Sequence, residues 1–279
     1  MPNPTVVAVM LTADRPEYAR RAVECFRRQT YPAKRLLIYD TGTDDAEDCP
    51  GDYPLVIWIP EESRGRTIGE LRNAANSHVE GVEVDLSAGT SKDCGADILI
   101  HWDDDDYSHP NRIAEQVALL QSSGADVVGY RECLFWRERQ PIENLDAKFG
   151  IERRTNFAIP GEAWLYSNPD PRYCLGTSLC YWRKTWERKP FEATSQGEDV
   201  RFCTGLKCVG VPTGPMLGKL TGLSNVKPSK DAAPRMIARI HSGNTSTVYR
   251  AELMAAIERQ GGEWKRSPEW DSYCRGVME

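Results

Sequence analysis

The sequence predicts an α/β protein on a mainly parallel sheet, and three observations point there. Short apolar, β-branched runs alternate with amphipathic stretches through the first 130 residues. Those stretches are long enough to be helices that cross from one parallel strand to the next. A run of four aspartates follows directly on one apolar run, at the strand end where open α/β sheets bind ligands.

Taken in order, Val6 to Leu11 reads as a buried strand. Pro16 opens a helix with Ala19, Val23 and Phe26 on one face, ending before Pro32. Leu36 to Tyr39 is a second strand, closed by Asp40-Thr41-Gly42-Thr43-Asp44, and Leu55 to Ile59 a third. Thr67-x-x-Glu70 is a capping box that starts a helix through His78. Ile98 to Trp102 is the fourth strand. The aspartates come next, then a helix aligning Ile113, Val117 and Leu120, and a fifth strand from Val127 to Tyr130. Beyond about residue 131 the rhythm loosens, and six of the eight tryptophans fall there. Trp164, Tyr166, Tyr173, Trp182 and Trp186 read either as the packing of a subdomain or as a groove on which a sugar ring stacks. Ser195-x-x-Glu198 has the capping-box pattern and opens a helix through about Leu206; a last helix is expected over Val248 to Arg259. One domain accounts for the chain, with a ligand-binding half over residues 1–130, an elaborated half over 131–246, and a helix and tail over 247–279.

Composition excludes several classes. The 18 prolines and 22 glycines among 279 residues are scattered, so neither a fibrous repeat nor disorder fits. A net charge of -6 argues against a partner that is nucleic-acid backbone. No apolar run approaches the roughly 18 residues of a spanning helix, and the N-terminal residues lack a secretory pattern. Nine cysteines, an odd number without a C-x-x-C pair, point to free thiols in a reducing cytoplasm.

His101-Trp102-Asp103-Asp104-Asp105-Asp106-Tyr107 is the most informative segment. Adjacent carboxylates repel one another and are pushed toward protonation unless a cation or donors compensate. Hard oxygen ligands suit Mg2+ or Mn2+, which bind one or two carboxylates plus substrate phosphates. A solvated acidic turn is the alternative. An EF-hand is excluded, because His109 stands where its loop requires glycine. Neither a Walker loop nor a G-x-G-x-x-G turn is present, so a metal becomes the main counter-charge for a diphosphate leaving group.

On these residues the chain resembles a family-2 glycosyltransferase of the GT-A fold. Val6 to Pro16 is similar to that family's opening strand and Thr/Arg-Pro turn. Tyr39 to Asp45 resembles its D-D-G-S-T-D stretch, with Tyr39 in place of the first aspartate. Arg72-Asn73 matches an R-N pair, Asp103-x-Asp105-Asp106 with Pro110 the D-x-D-D…P signature, and Gly197-Glu198-Asp199 the E-D motif. Arg239 to Ser246 resembles a late R-x-H-x-x-N-x-S stretch.

The resemblance implies inverting transfer of a sugar from a nucleotide-sugar donor, UDP-linked by preference, to an acceptor hydroxyl. Asp40 then matches the residue that recognises the base, with Thr12, Asp14 and Arg15 near the nucleoside on the first loop. Asp103 is expected at the ribose and the metal, Asp105 on the metal, and Arg72 and Asp104 at the donor. His241 matches a further metal or diphosphate ligand. Asp199 matches the catalytic base, with Glu198 as fallback. Mn2+ or Mg2+ is the implied cofactor. Two other classes remain open: a nucleotidyltransferase releasing pyrophosphate, and a non-catalytic nucleotide or glycan binder. The first normally carries a Gly-rich basic loop where this chain has Thr12-Ala13-Asp14-Arg15-Pro16.

Overall fold

A computed structural model describes residues 3–43, 56–61, 65–79, 95–138, 140–141, 158–159, 161–213, 233–241 and 263–279. Strands β1 (Val6–Thr12), β2 (Lys34–Asp40), β3 (Val56–Pro60) and β4 (Ile98–His101) are parallel in the order β3-β2-β1-β4. The seven residues of β1 are almost all buried, because helices cover both faces of the sheet. Side chains alternate between faces at strand period. Val6, Ala8, Met10, Leu36 and Ile38 pack with α1 (Pro16–Arg27) and α3 (Arg112–Ser123). Val7, Val9, Leu37 and Leu99 pack with α2 (Ile68–Ser77) and the Phe191–Phe202 pair.

α1 and α2 begin where the sequence predicts. Pro16 sits in the first turn of α1, where its missing N–H costs nothing. The Thr67–Glu70 capping box is formed: Glu70 Oε2 accepts from the Thr67 backbone N–H at 2.8 Å, and Thr67 Oγ1 from that of Glu70. Gly124, left-handed with φ 58°, closes α3.

The second half continues the same sheet, which has eleven strands among the described residues. The fifth strand does not stop at Tyr130. As β6 (Val127–Arg137) it runs eleven residues, with β5 (Tyr107–Ser108) preceding it in the chain. Length lets β6 serve two sets of neighbours. Its first half pairs with antiparallel β10 (Cys180–Trp182) and parallel β11 (Cys208–Pro212). The second half pairs with antiparallel β9 (Glu162–Ser167) and parallel β12 (Met236–Ile240). Strand β13 (Trp264–Arg266) extends β9, and β7 (Gln140–Pro141) pairs with β8 (Ala158–Ile159) apart from the main sheet. Trp136, Trp164 and Trp264 are buried in the packing of this region.

Three further helices are short: α4 (Arg183–Arg188), α5 (Glu198–Cys203) and α6 (Asp271–Met278). Two expectations are corrected at α5. Ser195 does not cap it; Gly197, left-handed at φ 70°, holds the cap position, and Ser195 Oγ instead accepts from the Ile68 N–H at 3.2 Å. The helix ends at Cys203, before Leu206. The helix expected over Val248 to Arg259 lies outside the described residues.

Candidate active site

The ends of β1 and β2 lie side by side, Thr12 opposite Asp40, and their loops interlock. The Thr41 N–H donates to Thr12 O at 2.9 Å, and Asp14 Oδ1 accepts from the Thr43 N–H at 2.6 Å. Asp40 accepts from the Gly42 N–H at 2.9 Å and from Trp58 Nε1 at 3.3 Å. A Cβ at Gly42 would sit 2.6 Å from Asp14 N, so only glycine lets the loops approach this closely. Asp14 itself takes a left-handed backbone, φ 51°.

The four aspartates behind β4 divide into two pairs. Asp104 and Asp106 are built into the fold. Asp104 is 2% exposed, accepts from Thr12 Oγ1 at 2.7 Å and pairs with Arg15 at 2.9 Å. Burial, reinforced by Asp105, pushes its carboxyl up to about 7 against the pull of Arg15 and Thr12. Asp106 accepts from the Arg239 backbone N–H at 2.9 Å and from the Thr177 hydroxyl; burial, then Asp105, raises its carboxyl too. Asp103 and Asp105 are less fully enclosed, the Asp105 side chain being 10% exposed. Asp103, its side chain 30% exposed, lies 3.8 Å from Arg72 Nη2. Asp105 Oδ2 is 2.9 Å from His241 Nε2 and 3.8 Å from Arg15 Nη1.

Behind this loop Arg239 acts as a fastener. Its Nε donates to Asp105 O at 2.9 Å, Nη1 to the Glu138 carboxylate, and Nη2 to Met278 O at 2.6 Å. Tyr18 lies beneath it, guanidinium 4.9 Å from the ring, with the His241 ring 5.4 Å away on the same tyrosine.

On the far side, Arg72 bridges toward α5. Its Nε is 3.5 Å from Glu198 Oε1, a charge contact in which the N–H makes no hydrogen bond. Asn73, next on α2, accepts from Trp186 Nε1 and the Phe191 N–H, both at 2.9 Å, and donates to Phe191 O. Glu198 is buried, which raises its carboxyl above the ordinary range despite Arg72. Asp199 is only half-buried, and its carboxylate lies against the Cα of Gly176, where a Cβ would be 2.1 Å from Oδ2. Gly176 precedes the Thr177 that donates to Asp106. The two acidic sites thus meet through one turn.

That turn is held from below by residues the sequence analysis missed. His101 Nδ1 donates to Gly176 O at 2.7 Å, while its Nε2 takes the Tyr181 hydroxyl, itself a partner of Asn76. Full burial keeps His101 neutral, its imidazole well below the usual range. Arg112, wholly buried on α3, donates to His101 O and Thr177 O, and Gln116 Nε2 to Ser178 O. Arg112 and Gln116 both interrupt the apolar face marked by Ile113 and Val117, and polar residues on a core face were the available signal.

Among the described residues no group of three or more His, Cys, Asp or Glu side chains is arranged to hold a metal ion alone. The donors Asp105 and His241 do converge. One carboxylate and an imidazole fit a Mn2+ or Mg2+ ion whose shell is completed by phosphate oxygens and water.

No protein-family model and no curated protein matches the chain. Solved structures match it in shape. TarS from S. aureus (residues 1–349) aligns with a TM-score of 0.51 and 11% identity, over 84% of this chain and 60% of that one. TarS 1–349 in complex with UDP aligns over 98% of this chain and 69% of that one, at 12% identity and TM-score 0.49. The mannosyltransferase PcManGT from Pyrobaculum calidifontis, in complex with GDP-Man and Mn2+, aligns over 100% and 70%, at 13% identity and TM-score 0.47. The likeness to TarS shows the fold: mixed α/β, GT-A-like, with a mostly parallel central sheet. The chain spans 60% of the length of that TarS chain.

Proposed function

We propose that the chain transfers a glycosyl group from a nucleoside diphosphate sugar, UDP-linked by preference, to an acceptor hydroxyl with inversion. The observation that carries this is the division of the aspartates. Asp103 is partly exposed beside Arg72, Asp105 meets His241, and the partly buried Asp199 stands one turn away with its carboxylate against Gly176. Asp14 and Asp40, on interlocked loops, would receive the nucleoside, and Arg15 and Arg72 the diphosphate side. Thr12 and Asp104 hold Arg15 in place.

Asp105 and His241 would hold a divalent cation, Mn2+ or Mg2+, whose chemistry there is to neutralise a departing diphosphate. Asp199 takes the acceptor hydroxyl proton as that oxygen bonds to the anomeric carbon and the carbon–phosphate oxygen bond breaks toward the nucleoside diphosphate. Its partial exposure suits contact with an acceptor; Glu198 is buried against Arg72 and serves to place that arginine. Residues 1–130 form the donor side and 131–246 the acceptor side. The cytoplasm is the proposed location, to be tested by fractionation; no described helix is long and apolar enough to cross a membrane.

Thermal-shift titration against UDP, GDP, CDP and TDP, with and without Mn2+, tests the donor site. A ligand bound at a hundred times its Kd stabilises the fold by about 2.7 kcal/mol. One nucleotide should shift the wild type only with Mn2+, and Asp105→Ala should abolish that shift. Asp199→Asn should keep it and lose about 10²–10⁴-fold in transfer rate. Failure of every nucleotide, with or without metal, overturns the donor site.

A further inference from the structure

Three cysteines converge where α5 ends and β11 begins. Cys203 is the last residue of α5 and Cys208 the first of β11; Cys208 Sγ donates to Cys203 O at 3.6 Å. Cys174 comes from the segment before Gly176, which lies flat on β11. There the Gly210 N–H donates to Pro171 O at 2.7 Å, and a Cβ at Gly210 would collide with Tyr173 O. The Cys174 side chain packs over Gly129 of β6, the residue paired with Gly210. All three side chains pack in one hydrophobic cluster, where the Cys174 thiol donates to Arg172 O at 3.9 Å. None of the seven described cysteines is in a disulfide.

The surroundings favour oxidation chemistry over inert packing. The neighbouring Cys174 and Cys203 thiols hold the Cys208 thiol down, toward the nucleophilic thiolate. Lys189 adds a cation at the end of α5, where its Nζ donates to the Arg201 and Thr204 carbonyls. Cys174 and Cys208 are buried, while Cys203 is partly exposed and opens the cluster to a small oxidant. The three sulfurs do not form a metal cage.

We propose that Cys208 is an oxidation site that closes a reversible disulfide with Cys203 or Cys174 on exposure to peroxide. The Cys208 thiolate attacks hydrogen peroxide, giving a sulfenic acid and hydroxide. The neighbouring thiol then displaces water from that sulfur and forms the S–S bond. Two thiols are oxidised, one peroxide is reduced, and a thiol reductant reverses the change. Both partner cysteines lie on segments that hold the Asp199 carboxylate, Cys203 on its helix and Cys174 two residues before Gly176. Resting on the transferase proposed above, the disulfide therefore ties the oxidation state to the placement of the base.

The site is tested on the native full chain treated with hydrogen peroxide, then denatured, alkylated and digested with trypsin without reduction. Cleavage after Lys207 separates the Cys203 and Cys208 peptides, so a cross-link is seen directly by mass. A linked peptide containing Cys208 and either partner should be its main form, lighter by two hydrogens than the separate peptides and released by dithiothreitol. The link should be absent in Cys208→Ser and in Cys208→Ala. Recovery of Cys208 as the alkylated thiol, or as sulfinic or sulfonic acid without a link, overturns the proposal. So does a Cys174–Cys203 link that persists when Cys208 is replaced. Mapping the bond needs no transfer activity, so a failure here and a failure of the donor site remain separate results.

Discussion

At the scale of single residues, neighbouring carboxylates of identical chemistry are driven apart by their surroundings. Asp104 and Asp103 are adjacent, yet one is under β1 with a threonine and an arginine while the other is partly exposed. Glu198 and Asp199 divide in the same way, the first buried and the second half-buried. Burial raises the Glu198 carboxyl, so the folded chain holds this proton at a pH where the unfolded chain has released it. Its contribution to stability is therefore complete below the unfolded value, near 4.5, and is lost as pH rises through the higher folded value. Glu198→Gln removes the titration. In melts from pH 4 to about pH 8, the wild type should lose melting temperature relative to the variant as pH rises. A constant difference across that range would place the Glu198 proton elsewhere.

At the scale of elements, the turn at Gly176–Ser178 matters more than any helix. It is a single 3-10 turn, held by His101 from β4 and by Arg112 and Gln116 from α3, and it carries both the Thr177 that fixes Asp106 and the glycine on which Asp199 rests. Gly176 has an ordinary backbone, so alanine is strained there only by its methyl, which would land 2.1 Å from Asp199 Oδ2. Displacing a reacting group by about 1 Å costs on the order of 10²-fold in rate. Gly176→Ala should accordingly lower kcat by at least about tenfold while leaving the Mn2+-dependent nucleotide shift intact. Loss of both together would mean that the turn supports the donor site as a whole.

At the scale of the molecule, Arg239 joins parts distant in sequence. It links the aspartate loop, the end of β6 through Glu138, and the carboxyl end of α6 through Met278 O, which also accepts from Arg21 of α1. Removing one partner of a fully buried charge pair costs about 3–5 kcal/mol; with the Glu138 side chain 28% exposed and still accepting from Tyr18, the cost is about 1–3 kcal/mol. Arg239→Met should therefore lower stability in denaturant melts by that order, and adding Glu138→Gln should restore part of it. No recovery in the double variant would put the cost in packing around Tyr18 instead of in the stranded carboxylate.

The chain's local pattern was enough to place β1, β2, β3, β4 and the three long helices, because continuous apolar runs, a proline at N1 and a capping box act within a few residues of themselves. It also marked Asp103, Asp105, Asp199 and His241 as the residues to watch. Local pattern failed where the deciding contact was distant. Ser195 has the spacing of a cap, but its hydroxyl is taken by the Ile68 N–H, 127 positions away in the chain. The division of the aspartates is set by Thr12, Arg15, Thr177 and Arg239, which come from β1, the loop after it, the Gly176 turn and β12. Nor could spacing alone bring Cys174 to Cys208, since that contact needs the 171–174 segment laid on β11. By itself the sequence determined the strands and helices of the first half and where charged side chains stand along them. Only the tertiary structure decided which carboxylates are buried and which are left open, because burial depends on atoms that the chain supplies from far away.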